Sequence, residues 1–347
     1  MQKFFITGAG GWLGKSLVKN ILNKKYGCGS IEPANINAFL QPNEDAEFLN
    51  NLGVTIHKGD IRDIGAIKNF LENAQDGIVI HLCGIIHPKL KTSDFFDINH
   101  LGSKHILQIG QQIGVKKILL MSSNSPVGCN KSNKNEDIFT EKMSYNPYMK
   151  YGESKYLLEK TAADFISHFQ NPKISIIRAP WFYGPNQPAR QTLFFKMIKE
   201  GKFPIIGDGE NKRSMAYTDN LSQGIILAAL SEKADGQTYW IADKNPYTMN
   251  EIIATTRSVM EKEFGIKCQS SAIKLPSLVS DLAYIADKII QSVGLYQQKI
   301  HVLSEMNKNI FCSIDKAQHD LGYKPEYDLY SGMKESIKWC LENEITI

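Results

Sequence analysis

Hydrophobic positions in this chain alternate between short β-prone runs and helix-spaced stripes. Lys3 to Thr7 is the first apolar run, and it stops at glycines at Gly8, Gly11 and Gly14. Behind them Leu13, Leu17, Val18, Ile21 and Leu22 recur at helical spacing, so a helix is predicted from about Trp12 to Leu22. Further strands are predicted at Asn35 to Leu40, Val54 to Lys58, Gly77 to Leu82, Lys117 to Ser122 and Lys173 to Arg178. Helices fall between them, ending near Leu71 and running from about Ser93 to Ile113 and about Pro147 to Phe169. The run from Lys117 is apolar without alternation, as in a strand covered on both faces. This alternation implies an α/β fold with a Rossmann-type, doubly wound parallel sheet.

Past Pro185 the rhythm changes. Helices at about Arg190 to Glu200, Asn220 to Leu230 and Met249 to Phe264 are separated by short strands and glycine turns such as Gly207-Asp208-Gly209. The expected division is a dinucleotide-binding domain over residues 1–185, with part of 205–240 threading back to it. Residues 186–347 then form mainly a smaller mixed α/β substrate lobe. Within it, Leu275 to Leu295 spaces Leu275, Leu278, Leu282, Ile285, Ile289 and Val293 three and four apart, and it carries Asp281, Asp287 and Lys288. That is an amphipathic stripe for packing or peripheral membrane contact; it does not read as a membrane span.

Composition narrows the class. With 42% hydrophobic and 22% charged residues the chain reads as an ordinary soluble globular protein. The formal net charge of +4 is spread over scattered basic residues, which fits an anionic small molecule better than nucleic acid. The six cysteines form no C-x-x-C pair, so a zinc cluster or disulfide framework is not expected and a cytoplasmic setting fits. The chain opens directly into strand one, leaving no room for a signal peptide. No histidine pair is spaced for a metal, and no G-x-S-x-G elbow marks a hydrolase.

The glycines after the first strand supply the first chemistry. Gly8 permits a tight turn, Gly11 lets backbone approach a pyrophosphate, and Gly14 lets the next helix pack close to the sheet. The helix beginning near Trp12 then points unpaired N–H groups at the phosphates. Gly14-Lys15-Ser16 imitates the end of an ATP-binding P-loop, but the glycine that loop needs five residues earlier is Ala9. After strand two, where an acid would hold an adenosine ribose, the chain offers Gln41 and Pro42, so NAD and NADP both stay open.

Tyr151 and Lys155 lie four apart on a predicted helix and share a face. Tyr156/Lys160, Tyr284/Lys288 and Tyr330/Lys334 keep the same spacing, so position decides. Tyr151/Lys155 is the pair that follows strand five and its loop, at the carboxyl edge of the sheet. An ammonium about 5 Å from a phenol contributes on the order of 3 kcal/mol, roughly two pKa units, at an effective dielectric near 20. Ser122 and Ser123 are the candidates for holding a substrate oxygen.

Thr7-Gly8-x-x-Gly11-x-x-Gly14, Asp60-Ile61-Arg62-Asp63, His81-Leu82-Cys83-Gly84, Asn99, Ser122-Ser123, Tyr151-Gly152-Glu153-Ser154-Lys155 and Arg178-Ala179-Pro180 occur in this order. Together they resemble the extended short-chain dehydrogenase/reductases, a superfamily that includes the NAD-dependent epimerases and dehydratases. The resemblance implies a nicotinamide cofactor, NAD or NADP, held by Gly8, Gly11, Trp12, Leu13, Gly14, Asp60, Ile61, Leu82, Asn99, Tyr151, Lys155 and Pro180. It implies Tyr151 as acid/base, Lys155 as the group that lowers its pKa, and Ser123 as the group polarising the reacting oxygen. Asn124 and Ser125 follow Ser123 where sugar-nucleotide dehydratases of the family carry an acid, which disfavours elimination of water.

The segment from Gly207 to Asn220 is similar to the part of sugar-nucleotide epimerases that grips a diphosphate, with Arg213 matching the phosphate-binding arginine. Ser123, Asn124 and Arg213 are thus the expected substrate contacts. Leu275-Pro276 with its greasy helix, Asp315-Lys316-Ala317 and Leu321-Gly322-Tyr323-Lys324-Pro325 look as much like the 3β-hydroxysteroid dehydrogenase branch. The leading expectation is an oxidoreductase or epimerase that moves hydride at a secondary alcohol carbon of a nucleotide sugar. The alternatives are a ketoreductase or dehydrogenase on a hydrophobic alcohol, and a non-catalytic cofactor-binding sensor or scaffold. By analogy with the family a homodimer is expected through the two long helices flanking strand five.

Overall fold

The computed structural model describes residues 2–347, so of the predicted segments only Met1 lies outside the described residues. β1 (Phe4–Thr7), β2 (Ile36–Leu40), β3 (Thr55–Lys58), β4 (Ile78–His81), β5 (Lys117–Ser123) and β6 (Lys173–Ala179) form one sheet with an edge strand, Thr238–Trp240. The order is edge strand, β6, β5, β4, β1, β2, β3, and every pairing is parallel. Winding reverses between β1 and β4, and a crevice opens beyond the carboxyl ends of the strands where the order switches.

Helices cover both faces, which is why the strands lack alternation. All seven residues of β5 are buried. On one face α1 (Trp12–Leu22) and the helix Thr218–Leu230 bury Leu17, Val18, Ile21, Leu221 and Ile225. On the other face the helices Ile64–Leu71, Ser103–Ile113 and Met149–His168 bury Ile67, Phe70, Ile106 and Leu158. The central segment therefore returns to the sheet twice, as the helix laid beside α1 and as the edge strand beside β6.

The helix expected from Ser93 to Ile113 is continuous but not uniform. A short α turn (Ser93–Phe95) passes into a π-helical stretch (Phe96–Gly102) before the α-helix resumes at Ser103. The wider turn seats Asn99, which is fully buried.

In the lobe, the helices Ala189–Lys199, Met249–Phe264 and Leu329–Glu342 pack around Phe195, Ile252, Met333 and Ile337. The polar segment after β5 is pinned rather than free. Asn130 donates to the Phe311 carbonyl at 3.0 Å and accepts from its N–H at 2.8 Å. A helix pair, Leu278–Ser292 and Gln298–Glu305, closes the molecule over the start of the Met149–His168 helix.

The stripe on Leu278–Ser292 does not pack within the chain. Leu278, Leu282, Ile285, Ile289 and Val293 are 61%, 57%, 55%, 61% and 68% exposed, while Ser280, Ala283, Asp287 and Gln291 form the buried face.

Candidate active site

Backbone geometry at the first turn makes the cradle. Gly8 adopts φ +71, where a side chain is strained, and a Cβ on Gly14 would stand 2.3 Å from the Gly8 carbonyl oxygen. α1 is preceded by Gly11 at its N-cap, with no side-chain cap and no acid in its first turn, so its N–H groups remain for an anion. Trp12 is fixed by an indole N–H donated to the Gly184 carbonyl at 3.0 Å and by Phe182, with ring centroids 4.8 Å apart.

These residues line one wall of a cavity of about 1280 Å³ that continues to the lobe. Gly8, Gly11, Trp12, Leu13, Gly14, Asp60, Ile61, Leu82 and Pro180 all line it, with Ser123, Asn124, Tyr151, Lys155 and Arg213. Asn99 is the exception among the expected cofactor residues. Its amide accepts from the Ile85 N–H at 2.7 Å and donates to the Ile85 carbonyl at 2.9 Å, so it fixes the wall from behind. The Asp60 carboxylate is bound by Arg62, which donates through Nε at 2.9 Å. An acid stands three residues after Gln41. Glu44 lines the cavity, accepts from the Gln41 N–H at 3.0 Å and lies beside Gly10.

The end of β5 sorts the two serines. Ser122 donates to Glu159 at 2.5 Å, and Glu159 also pairs with Arg178 at 2.6 Å, all three being buried. Ser123 is left beside the Tyr151 phenol. Burial pushes that phenol up to about 12, with the Ser123 hydroxyl acting in the opposite direction. The Lys155 ammonium, on the same helical face, donates to the Met121 carbonyl at 2.9 Å. Burial lowers Lys155 to about 8, against the charges of Cys83 and Glu159, which favour its protonated form. A Cβ on Gly84 would stand 3.2 Å from the Lys155 nitrogen, so this glycine leaves space beside the ammonium.

The lobe half of the cavity holds groups that no motif marked. Arg190 reaches it from the helix Ala189–Lys199, while His301 and Glu305 come from Gln298–Glu305. His301 is held by Asp287 at 2.7 Å. Burial opposes its charge, but Asp287 and Glu305 leave its pKa above the usual imidazole value. His87, also in the wall, meets the Tyr296 hydroxyl at 2.5 Å. Among the described residues Arg213 makes no ion pair. One guanidinium nitrogen donates to the Glu305 main-chain carbonyl, and its buried Nε has no partner among them. The cavity thus joins a glycine cradle, a phenol–hydroxyl–ammonium set and the guanidinium groups of Arg62, Arg190 and Arg213.

The sequence model of the NAD dependent epimerase/dehydratase family matches residues 4–242. The chain belongs to that family. The glycine cradle, the open start of α1 and the space beside Lys155 fit the nicotinamide dinucleotide that this family uses. Among its relatives, the chain is 45% identical to the uncharacterized protein y4nL of Sinorhizobium fredii (strain NBRC 101917 / NGR234), over 97% of this chain and 95% of that protein. It is 25% identical to the N-acetyl-alpha-D-glucosaminyl-diphospho-ditrans,octacis-undecaprenol 4-epimerase of Escherichia coli O157:H7, over 81% of this chain and 82% of that one. A crystal structure of DesIV, a dTDP-glucose 4,6-dehydratase of Streptomyces venezuelae, has the same fold. Its TM-score is 0.77, with 21% identity, 99% coverage of this chain and 98% of that one.

Proposed function

We propose that this family member is an epimerase that inverts a secondary alcohol carbon of a sugar carried on a diphosphate. The observation that carries the reading is the convergence of Ser123, Tyr151 and Lys155 with Arg190 and Arg213 in one cavity that begins at the glycine cradle.

When bound, the nicotinamide dinucleotide accepts a hydride from the sugar carbon and returns it. Gly8, Gly11, Trp12, Leu13 and Gly14 would hold its diphosphate end, and Glu44 a ribose hydroxyl. That carboxylate would repel a 2′-phosphate, which favours NAD over NADP. Tyr151, acting as the phenolate, takes the hydroxyl proton as the C–H bond breaks, and as the phenol gives it back when the carbonyl is reduced from its other face. Ser123 donates to the reacting oxygen, which gains negative charge in each transition state. Lys155, held by Met121, keeps a positive charge behind the phenol. Arg190 and the unpartnered Nε of Arg213 would hold phosphate oxygens.

Asn124 and Ser125 give no acid where elimination would need one, which supports epimerisation over dehydration. A second reading, net oxidation of a hydrophobic alcohol, draws support from the apolar wall of Leu193, Phe194, Met197, Phe203 and Met306. A binding-only role leaves the Ser123, Tyr151 and Lys155 set without a purpose. Pairing of two copies through Ser93–Ile113 and Met149–His168 belongs to the same reading, with Leu101, Ile166 and Phe169 40%, 39% and 42% exposed there.

Arg213→Ala tests the diphosphate. Stabilisation of the NAD-loaded protein by glycosyl diphosphates in a thermal-shift panel is expected to fall at least about tenfold in apparent affinity. An unchanged response to those compounds, with stabilisation by sterols instead, would favour the hydrophobic alcohol.

A further inference from the structure

The helix Leu278–Ser292 is built inside out. Its buried face is Ser280, Ala283, Asp287 and Gln291, bonded to its neighbours through polar groups. Ser280 donates to the Leu303 carbonyl at 2.9 Å, and Asp287 holds His301 at 2.7 Å. Gln291 accepts from the Lys150 N–H at 3.0 Å. A surface helix ordinarily turns its apolar side inward. Here Leu278, Leu282, Ile285, Ile289 and Val293 face outward, each more than half exposed, along about 22 Å of helix and the residue after it. Just beyond the helix end Leu295 bridges to Lys91 and the Leu90 carbonyl accepts from the Tyr296 N–H, so Leu295 and Leu90, 43% and 55% exposed, extend the apolar surface. A contiguous apolar surface of this extent marks a site that something else covers.

Charge selects the occupant. Among residues 273–302 the exposed ionisable groups are Lys274, Asp281, Lys288 and Lys299, and Asp281 is paired with Lys308 at 3.0 Å. Lys89 and Lys91, both exposed, flank Leu90. Two copies meeting through this face would set like charges against one another, whereas anionic headgroups neutralise them. No helix among the described residues is long and apolar enough to cross a membrane, so this one would lie in the interface plane.

The surface is continuous with the entrance of the active-site cavity. The next helix, Gln298–Glu305, packs directly on this one and contributes His301 and Glu305 to the cavity wall. Its Lys299 and Val302, like Leu193, are exposed and part of the cavity lining, so they form its rim.

We infer that Leu278–Ser292 seats the protein on an anionic lipid surface, so that the sugar diphosphate entering the cavity is one whose other end is a lipid in that bilayer. This rests on the epimerase reading above and names the carrier of its substrate.

The test is flotation of the full chain with phosphatidylglycerol/phosphatidylcholine vesicles and with phosphatidylcholine alone, for the wild type and a Leu282→Gln/Ile289→Gln double variant. These two side chains are exposed, and circular dichroism checks that the variant is folded. The wild type is expected to float with anionic vesicles in a salt-sensitive manner, and the variant at least about tenfold less. Epimerisation of a polyprenyl-diphosphate sugar embedded in the vesicles is expected to fall by a similar factor in the variant, while turnover of that compound in detergent stays equal. Absence of flotation, or equal flotation of both proteins, would overturn the inference. So would sedimentation showing a vesicle-free dimer that the variant dissolves. If the wild type floats yet turns over no glycosyl diphosphate in detergent, the epimerase reading and the lipid-carried substrate fail while the lipid-binding surface stands.

Discussion

The Ser122 hydroxyl donates to the Glu159 carboxylate at 2.5 Å, and this removes Ser122 from the chemistry one residue away. The same carboxylate holds Arg178 at 2.6 Å, so Ser122 belongs to a buried charged network. Ser123→Ala is therefore expected to lower kcat about 10²-fold with little change in melting temperature. Ser122→Ala is expected to destabilise the fold by about 1.5 to 3 kcal/mol and leave kcat of the folded protein near wild type. Steady-state kinetics beside urea denaturation separates the two.

Lys155 gives the pH dependence. Burial lowers its folded-state pKa to about 8, below the 10.5 of an exposed lysine. The charged form is therefore disfavoured in the folded state, and stability rises with pH between those two values as the proton leaves. Lys155→Met removes the penalty and the bond to Met121 together. Its net gain is on the order of 1 to 2 kcal/mol at pH 7 and shrinks toward pH 10.5. Turnover moves oppositely, falling in the wild type as pH rises above about 8 and at least about 10²-fold in the variant. Denaturation and rate profiles across pH check both signs.

In the proposed function Glu44 sets the cofactor preference. Glu44→Ala is expected to narrow the advantage of NAD over NADP by at least about tenfold, through tighter binding of NADP. Calorimetric titration with each dinucleotide measures it, and an unchanged ratio would remove Glu44 from the ribose site.

The parts of the site legible in the sequence are those fixed by short-range rules. The glycines after Phe4–Thr7 occupy one turn, Tyr151 and Lys155 share one helical face, and the first six strands lie within one residue of their predicted bounds. Glu44, Arg190, His87, His301 and Glu305 reach the cavity because separate loops and helices converge there, and no local period records such convergence. Spacing placed Lys155 near the Tyr151 phenol but gave no sign of the Met121 carbonyl that takes up its ammonium. The motif offered Asn99 as a cofactor contact, whereas the structure sets it in a π-helical stretch behind the wall, bonded to Ile85. The stripe from Leu278 to Val293 announced a helix, yet the period of an amphipathic helix is the same whichever face turns outward.

The central claim is that hydride leaves a sugar carbon and returns to it beside Tyr151. Its most direct measurement follows glycosyl diphosphates deuterated at C4 with the NAD-loaded wild type and Tyr151→Phe, by NMR of the sugar and absorbance of reduced nicotinamide. The account predicts inverted product with deuterium still on that carbon, no accumulation of reduced cofactor, and a rate at least about 10²-fold lower in the variant despite retained NAD binding. Deuterium lost to solvent, steady build-up of reduced cofactor, or an unchanged rate in the Tyr151→Phe protein would contradict it.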